Sequence, residues 1–134
     1  MRFLRPGAEG GGDEKKRLGR RGERFAARWL RRQGYRILHR NHKVGDDEAD
    51  LIALDPDGAT IVIVEVKTRR DETMPIEASV NARKQFRMAR LAARLQRSGP
   101  YAARPMRLDA ITILWPEGDE ASLKHFPNAF ASPI

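Results

Sequence analysis

The chain has no cysteine among its 134 residues, which excludes disulfides and thiolate-held zinc. Histidine is scarce too. His39, His42 and His125 show no spacing that a metal site uses, so each is read as solvated or structural. No apolar run approaches the length needed to cross a bilayer, and the N-terminus lacks the apolar core of a signal peptide. A cytoplasmic protein with no membrane partner is the default expectation. Acid is in deficit: 18 Asp and Glu stand against 26 Lys and Arg, a net charge of +8 with Arg in the majority. The guanidinium fork matches phosphate geometry, so this excess favours phosphate-bearing partners. A generally basic soluble protein from an Arg-rich proteome would have the same balance. The length suits one domain with a real core.

What the chain does have is a strong hairpin signal from Glu48 to Arg69. Two strand-like runs, Glu48 to Asp55 and Thr60 to Thr68, flank Pro56-Asp57-Gly58, whose residues supply turn chemistry. A turn centred on Asp57 and Gly58 places Asp50 opposite Glu65, and Glu48 opposite Lys67. Ile61 to Val64 is apolar on both faces, which makes its strand central and Glu65 partly buried. Two carboxylates facing each other at about 5 Å between Cβ atoms repel, and desolvation worsens the repulsion. A divalent cation held between them turns that cost into a binding site. Mg²⁺, or Mn²⁺ in its place, suits such a pair because it takes oxygen ligands from one or two carboxylates. Lys67 lies two residues after Glu65 and so shares its face. An ammonium there completes the outline of a hydrolytic site.

The spacing of Asp50 with Glu65-Val66-Lys67 resembles the PD-(D/E)XK nuclease superfamily. Arg21-Gly22-Glu23, Gly34-Tyr35-Arg36-Ile37-Leu38, Arg40-Asn41, Glu48-Ala49-Asp50-Leu51-Ile52-Ala53, Glu65-Val66-Lys67-Thr68-Arg69, Lys84 and Arg107-Leu108-Asp109 occur in an order that is similar to the YraN-like family of small bacterial proteins. That family lies in the Holliday-junction-resolvase-like branch of the superfamily. The resemblance runs from about Gly19 to Phe130. It implies a restriction-endonuclease-like fold and a metal-dependent nuclease acting on DNA, with branched DNA as one candidate substrate. Asp50 and Glu65 would be the metal ligands, with the Val66 carbonyl as a further one. Lys67 would orient the attacking water or stabilise the phosphorane, and Glu23 would support the metal site from the first helix. At Asp47 the chain departs from the family pattern, which has Gly there.

Residues 1–16, with their Gly-Gly-Gly run, read as a flexible tail ahead of a single domain over 17–134. A helix is predicted from near Leu18 to just before Gly34, with Leu18, Gly22, Phe25, Ala26, Trp29, Leu30 and Gln33 on one side. Glu23 lies at the edge of that side. It suits a salt bridge to Arg20 as well as it suits the metal site. A strand over Tyr35 to Arg40 follows. Beyond Arg69, residues Arg70 to Pro75 read as a flexible lip. A second helix then runs from about Glu77 or Asn81 to Arg97, with Ala82, Phe86, Met88, Ala89, Ala92, Ala93 and Leu95 on its apolar side.

Arg83, Arg87, Arg90, Arg94 and Arg97 form a stripe along this second helix with no acid interrupting it. Like charges at such spacing cost stability unless a polyanion neutralises them, so the stripe is expected to bind nucleic acid together with Arg69. Lys84 lies off the stripe near Leu91 and Leu95; its place in the family pattern points it toward the active site or a phosphate, and snorkelling to solvent is the alternative. Strands at Met106 to Trp115 and Ser122 to Phe126 complete an α/β fold, a mixed sheet of four or five strands flanked by helices. Asp109 is expected to form a buried structural pair with Arg107 or another Arg rather than to bind metal.

Three functional readings stand at this point. One is a Mg²⁺-dependent phosphodiesterase acting on DNA. The second is a non-catalytic nucleic-acid-binding protein of nuclease fold, and the third is an adaptor whose basic faces bind an acidic protein. A homodimer is compatible with each.

Overall fold

The computed structural model describes residues 7–73 and 82–130. In chain order they form helix α1 (Gly7–Arg32), strands β1 (Arg36–Val44), β2 (Asp47–Leu54) and β3 (Ile61–Arg69), helix α2 (Ala82–Arg97), and strands β4 (Met106–Leu114) and β5 (Ser122–Phe126). The five strands make one mixed sheet in the order β1-β2-β3-β4-β5. Only β3 and β4 run parallel; a parallel pair needs a crossover, and α2 lies within it. The fold is α/β with helices on the sheet's two faces, in agreement with the restriction-endonuclease-like expectation.

Alternation along β3 divides the core. Val62, Val64 and Val66 face α1, where they pack with Ala26, Ala27, Leu30, Leu51, Ile111 and Ile113. Ile61 and Ile63 point to the other face and pack with Met88, Leu91, Ala92, Leu95 and Leu108 under α2. The central position expected of β3 follows from its being apolar on both sides.

The hairpin register matches the sequence reading. Leu51 pairs with Val64, Ile52 with Ile63, Ala53 with Val62 and Leu54 with Ile61. Its turn is held by Asp57, whose carboxylate accepts from the Ala59 and Thr60 N–H groups and the Thr60 hydroxyl. Gly58 sits there at φ +74°, a conformation that costs it nothing.

Several expectations change. α1 begins at Gly7, so residues 7–16 are helical rather than a flexible tail. Once the packed turns from Leu18 to Leu30 are nucleated, adding a residue costs little, and Arg17 pairs with Glu14 one turn back at 3.2 Å. Gln33 is exposed and lies past the helix end. The start proposed for the second helix at Glu77 or Asn81, and the end of the lip at Met74 and Pro75, lie outside the described residues. The rest of the lip is locally bonded: Arg70 donates to the Trp115 carbonyl, and the Asp71 carboxylate accepts from the Thr73 N–H and hydroxyl.

Phe86 is the clearest departure. It is 64% exposed, whereas α2 buries Met88, Leu91, Ala92 and Leu95. Those residues continue backward through Lys84 at helical spacing, and Phe86 lies about 160° away around the helix axis from Met88.

Candidate functional site

The β2–β3 ladder ends at Leu51 and Val64. One step further Asp50 turns its carboxylate into the opening gap, where Oδ2 accepts the Val66 N–H at 2.9 Å. A side chain here takes the place of a ladder carbonyl. Residues of a strand direct N–H and C=O to the same side, so the Val66 carbonyl faces this gap as well. Glu65 is 3% exposed and lies close enough to the Asp50 carboxyl for each to bear on the other's acidity. From α2, Lys84 places its Nζ 2.5 Å from Glu65 Oε2. Lys84 occupies the forward end of the buried stripe, where apolar packing stops and a cavity begins. That cavity measures about 250 Å³ and is walled by Asp50, Glu65, Lys84, Glu48, Asp47 and Arg87, among others.

Burial is the first cause of the unusual acidity here. It pushes Glu65 up to about 7, with the charge of Asp50 adding to it and Lys84 only partly opposing. Burial raises Asp50 as well, against the Val66 N–H and Lys84. Burial alone would lower Lys84, but pairing with Glu65 outweighs it and the ammonium is held above its ordinary pKa.

Glu23 reaches the same region from α1. Its pKa is raised by burial and then by Asp50, while a hydrogen bond from the Asn41 side chain opposes this. No ion pair to Arg20 forms among the described residues. The placement depends on Gly22: a Cβ there would meet Thr68 Oγ1 at 1.8 Å, so only glycine lets α1 approach β3 this closely.

Lys67 is exposed, and its strand register sets it beside Thr112 of β4. It does not line the carboxylate cavity. The expected Glu48–Lys67 pair is absent from the ladder because β2 and β3 have already separated. The ammonium paired with Glu65 is Lys84 rather than Lys67. Thr112 pairs in turn with Lys124 of β5, giving the row Lys67, Thr112, Lys124 across the sheet. Lys124 is exposed and was not anticipated; a lysine on a short edge strand also blunts strand addition, which masked any other role. Arg69 lines a small cavity of about 30 Å³ with Thr112, Ser122 and Lys124, and its Nη1 is buried with no partner among the described residues.

The Arg stripe is only partly free. Arg90 grips Asp47 with two hydrogen bonds of 2.8 and 2.7 Å. Arg94 donates to the Val44 carbonyl at 3.1 Å and lies 3.9 Å from Asp47. Asp47 is 3% exposed, and the Arg90 hydrogen bonds hold its carboxyl below its ordinary pKa. The missing neutralising acid therefore comes from β2, not from a polyanion. Arg83, Arg87 and Arg97 remain exposed.

Asp109 is structural, as expected. Its carboxylate takes Arg107 Nε and Nη2 at 2.9 Å each, His125 Nε2 at 2.8 Å and the Asn128 N–H at 2.9 Å.

No cluster of three or more His, Cys, Asp or Glu side chains among the described residues is arranged to hold a metal ion. The donor set at the gap is two carboxylates and the Val66 carbonyl. These are hard oxygens, and Mg²⁺ is commonly held by one or two carboxylates with water completing its shell. The set fits such an ion.

Residues 22–113 match the model of the uncharacterised protein family UPF0102. The chain belongs to UPF0102. It is 36% identical over 118 residues to a UPF0102 protein of Pelobacter propionicus, covering 87% of this chain and 84% of the relative. It is 40% identical over 110 residues to one of Renibacterium salmoninarum, covering 81% and 91%. With one of Pelotomaculum thermopropionicum it shares 39% over 120 residues, covering 88% and 98%. The UPF0102 match includes every residue named around the gap, from Glu23 through Asp50, Glu65 and Lys67 to Lys84. No helix of the described residues is long and apolar enough to cross a membrane.

Proposed function

We propose that this UPF0102 protein is a divalent-cation-dependent nuclease of the PD-(D/E)XK type that acts on DNA. The observation carrying this reading is the half-buried Asp50 carboxylate beside the buried Glu65 carboxylate in one cavity at the splayed end of a central hairpin, each bearing on the other's acidity. A fold gains nothing in stability from such a pair, whereas a cation site requires it. Asp50, Glu65 and the Val66 carbonyl would hold Mg²⁺ or Mn²⁺. Bound there, the ion would supply Lewis acidity, acidifying an attacking water and neutralising charge on the scissile phosphate.

The chain's own groups supply the rest. Lys84 pairs with Glu65 and holds it in place at the gap. Lys67, exposed on the same sheet face, is the ammonium available to a phosphate oxygen. Arg87, Arg83 and Lys124 offer further cations that contact phosphates without reading sequence. Glu23 adds negative charge beside Asp50 from the far side.

Cleavage of single-stranded, duplex, flap and four-way-junction DNA with Mg²⁺ or Mn²⁺ tests the reading. Lys67→Ala is expected to keep the fold and most DNA affinity while losing about 10²-fold or more in rate, the scale for removing one charge-stabilising donor. An equally active Lys67→Ala protein removes Lys67 from the mechanism. The second reading, a DNA-binding protein without turnover, is favoured by one contact: the Lys84 ammonium already neutralises Glu65 without any metal. DNA binding with no cleavage under any of these conditions would select it.

A further inference from the structure

We propose that Phe86 is a stacking platform for an unpaired nucleobase, so that the preferred ligand is DNA carrying a single-stranded segment next to the Asp50–Glu65 pair. This rests on the DNA reading above and deepens it by naming the substrate class.

At 64% exposed, Phe86 is the most exposed large apolar side chain among the described residues. Its surroundings are cationic and ordered. The Arg90 guanidinium lies 5.4 Å from the ring centroid, and Asp47 fixes that guanidinium with two hydrogen bonds. Arg83 and Arg87 are exposed beside it around the same recess, and among the described residues neither forms an ion pair. The four residues bound an open recess of about 500 Å³ together with Asp46 and Asp47. That recess shares Asp46, Asp47 and Arg87 with the carboxylate cavity. A strand leaving the carboxylates along α2 therefore meets Arg87 first and the Phe86 ring next.

The occupant follows from two chemistries that must coincide. An exposed ring asks for a flat apolar face, and its flanking guanidiniums ask for anions. A nucleotide supplies both, as base and phosphate. A base inside a continuous duplex is already stacked on both sides and presents no face; an unpaired base does. A second copy of this chain is a poor occupant, because self-pairing would set Arg83 and Arg87 against their own equivalents. An acidic peptide would satisfy the cations and leave the ring exposed.

The test is binding in EDTA, so that cleavage cannot interfere, with labelled single-stranded, flap and blunt duplex DNA at one fixed salt concentration. The wild type is expected to bind the two ligands with unpaired bases more tightly than the duplex. Phe86→Ala should weaken those two by roughly ten-fold or more, the scale for losing one base-stacking contact, and leave duplex affinity unchanged. Phe86→Trp should restore the preference. An exposed side chain makes both variants safe for folding, which circular dichroism checks. Equal affinities of wild type and Phe86→Ala for unpaired DNA, or an equal loss on duplex, overturn the proposal while leaving the DNA reading intact. A wild type that binds none of the three overturns both. A concentration-dependent dimer that Phe86→Ala abolishes without DNA also overturns it, assigning the ring to self-association.

Discussion

Asp109 on β4 and Glu65 on β3 are buried acids on neighbouring strands, and their surroundings treat them in opposite ways. For Asp109 burial alone would raise the pKa, yet donors from His125, Arg107 and Asn128 outweigh it and the carboxyl is held below its ordinary value. Arg107 is itself tied to Asp55 at 2.6 Å and to the Tyr35 hydroxyl at 2.9 Å, so the cluster is saturated. For Glu65 burial and the charge of Asp50 act together, Lys84 opposes them only in part, and the pKa rises to about 7. A saturated cluster closes on itself and has no capacity for a ligand. An under-compensated one can still gain from a cation, which is the physical content of calling it a candidate site.

The largest expected effect breaks the saturated side. Arg107→Ala removes the guanidinium partner of the buried Asp109, leaving it His125 and the Asn128 N–H, and frees Asp55 and Tyr35, so a loss of about 3–5 kcal/mol is expected in urea unfolding. Mg²⁺ should not restore it. On the under-compensated side the sign reverses. Asp50→Asn keeps an acceptor for the Val66 N–H and can donate to Glu65, while removing the repulsion. The metal-free variant is expected to be more stable than the metal-free wild type by about 0.5–2 kcal/mol at neutral pH. Millimolar Mn²⁺ should raise the melting temperature of the wild type and leave the variant nearly unchanged. A destabilised Asp50→Asn protein, with no metal shift in the wild type, would place the pair with the structural clusters.

The hairpin register was legible because Pro56-Asp57-Gly58 allowed few turns and the apolar run of β3 had to be central. Lys84 was legible as an ammonium on an apolar stripe. The end of the ladder was not, since it depends on how β2 leaves β3 to pair with β1, and the Glu48–Lys67 pairing failed there. The Arg stripe misled because helix spacing sees only its own element, and the acid that answers Arg90 lies 43 residues away. Phe86 misled for a related reason. In a helix with so many alanines the apolar arc is wide, and only the contacts with β2 and β4 show which part of it is buried.

The smallest expected effect sharpens the comparison through pH. Glu65 has its pKa raised in the folded protein from about 4.5 to about 7, so between these values the folded state binds more proton than the unfolded chain. Stability linked to Glu65 is therefore greatest below about pH 4.5 and is lost as pH rises toward 7. Asp109 and Asp47 have lowered values, and their contribution has the opposite sense. It is present above about pH 4 and is lost on further acidification, outside the Glu65 window. His39 does overlap that window. Its pKa is lowered by burial and then by its stacked neighbour His42, so its contribution is lost as pH falls through the ordinary histidine range. Its slope opposes that of Glu65 and hides part of it in the wild type. The difference between wild type and Glu65→Gln cancels His39, because both proteins carry it. In EDTA, the stability gained by Glu65→Gln relative to wild type should grow steadily from pH 5 to pH 7.5. In Mn²⁺ it should shrink, because the ion takes over from the proton that Glu65 otherwise binds. A difference that is flat with pH in EDTA would mean that Lys84 alone compensates Glu65, and that Glu65 binds no extra proton in the folded state.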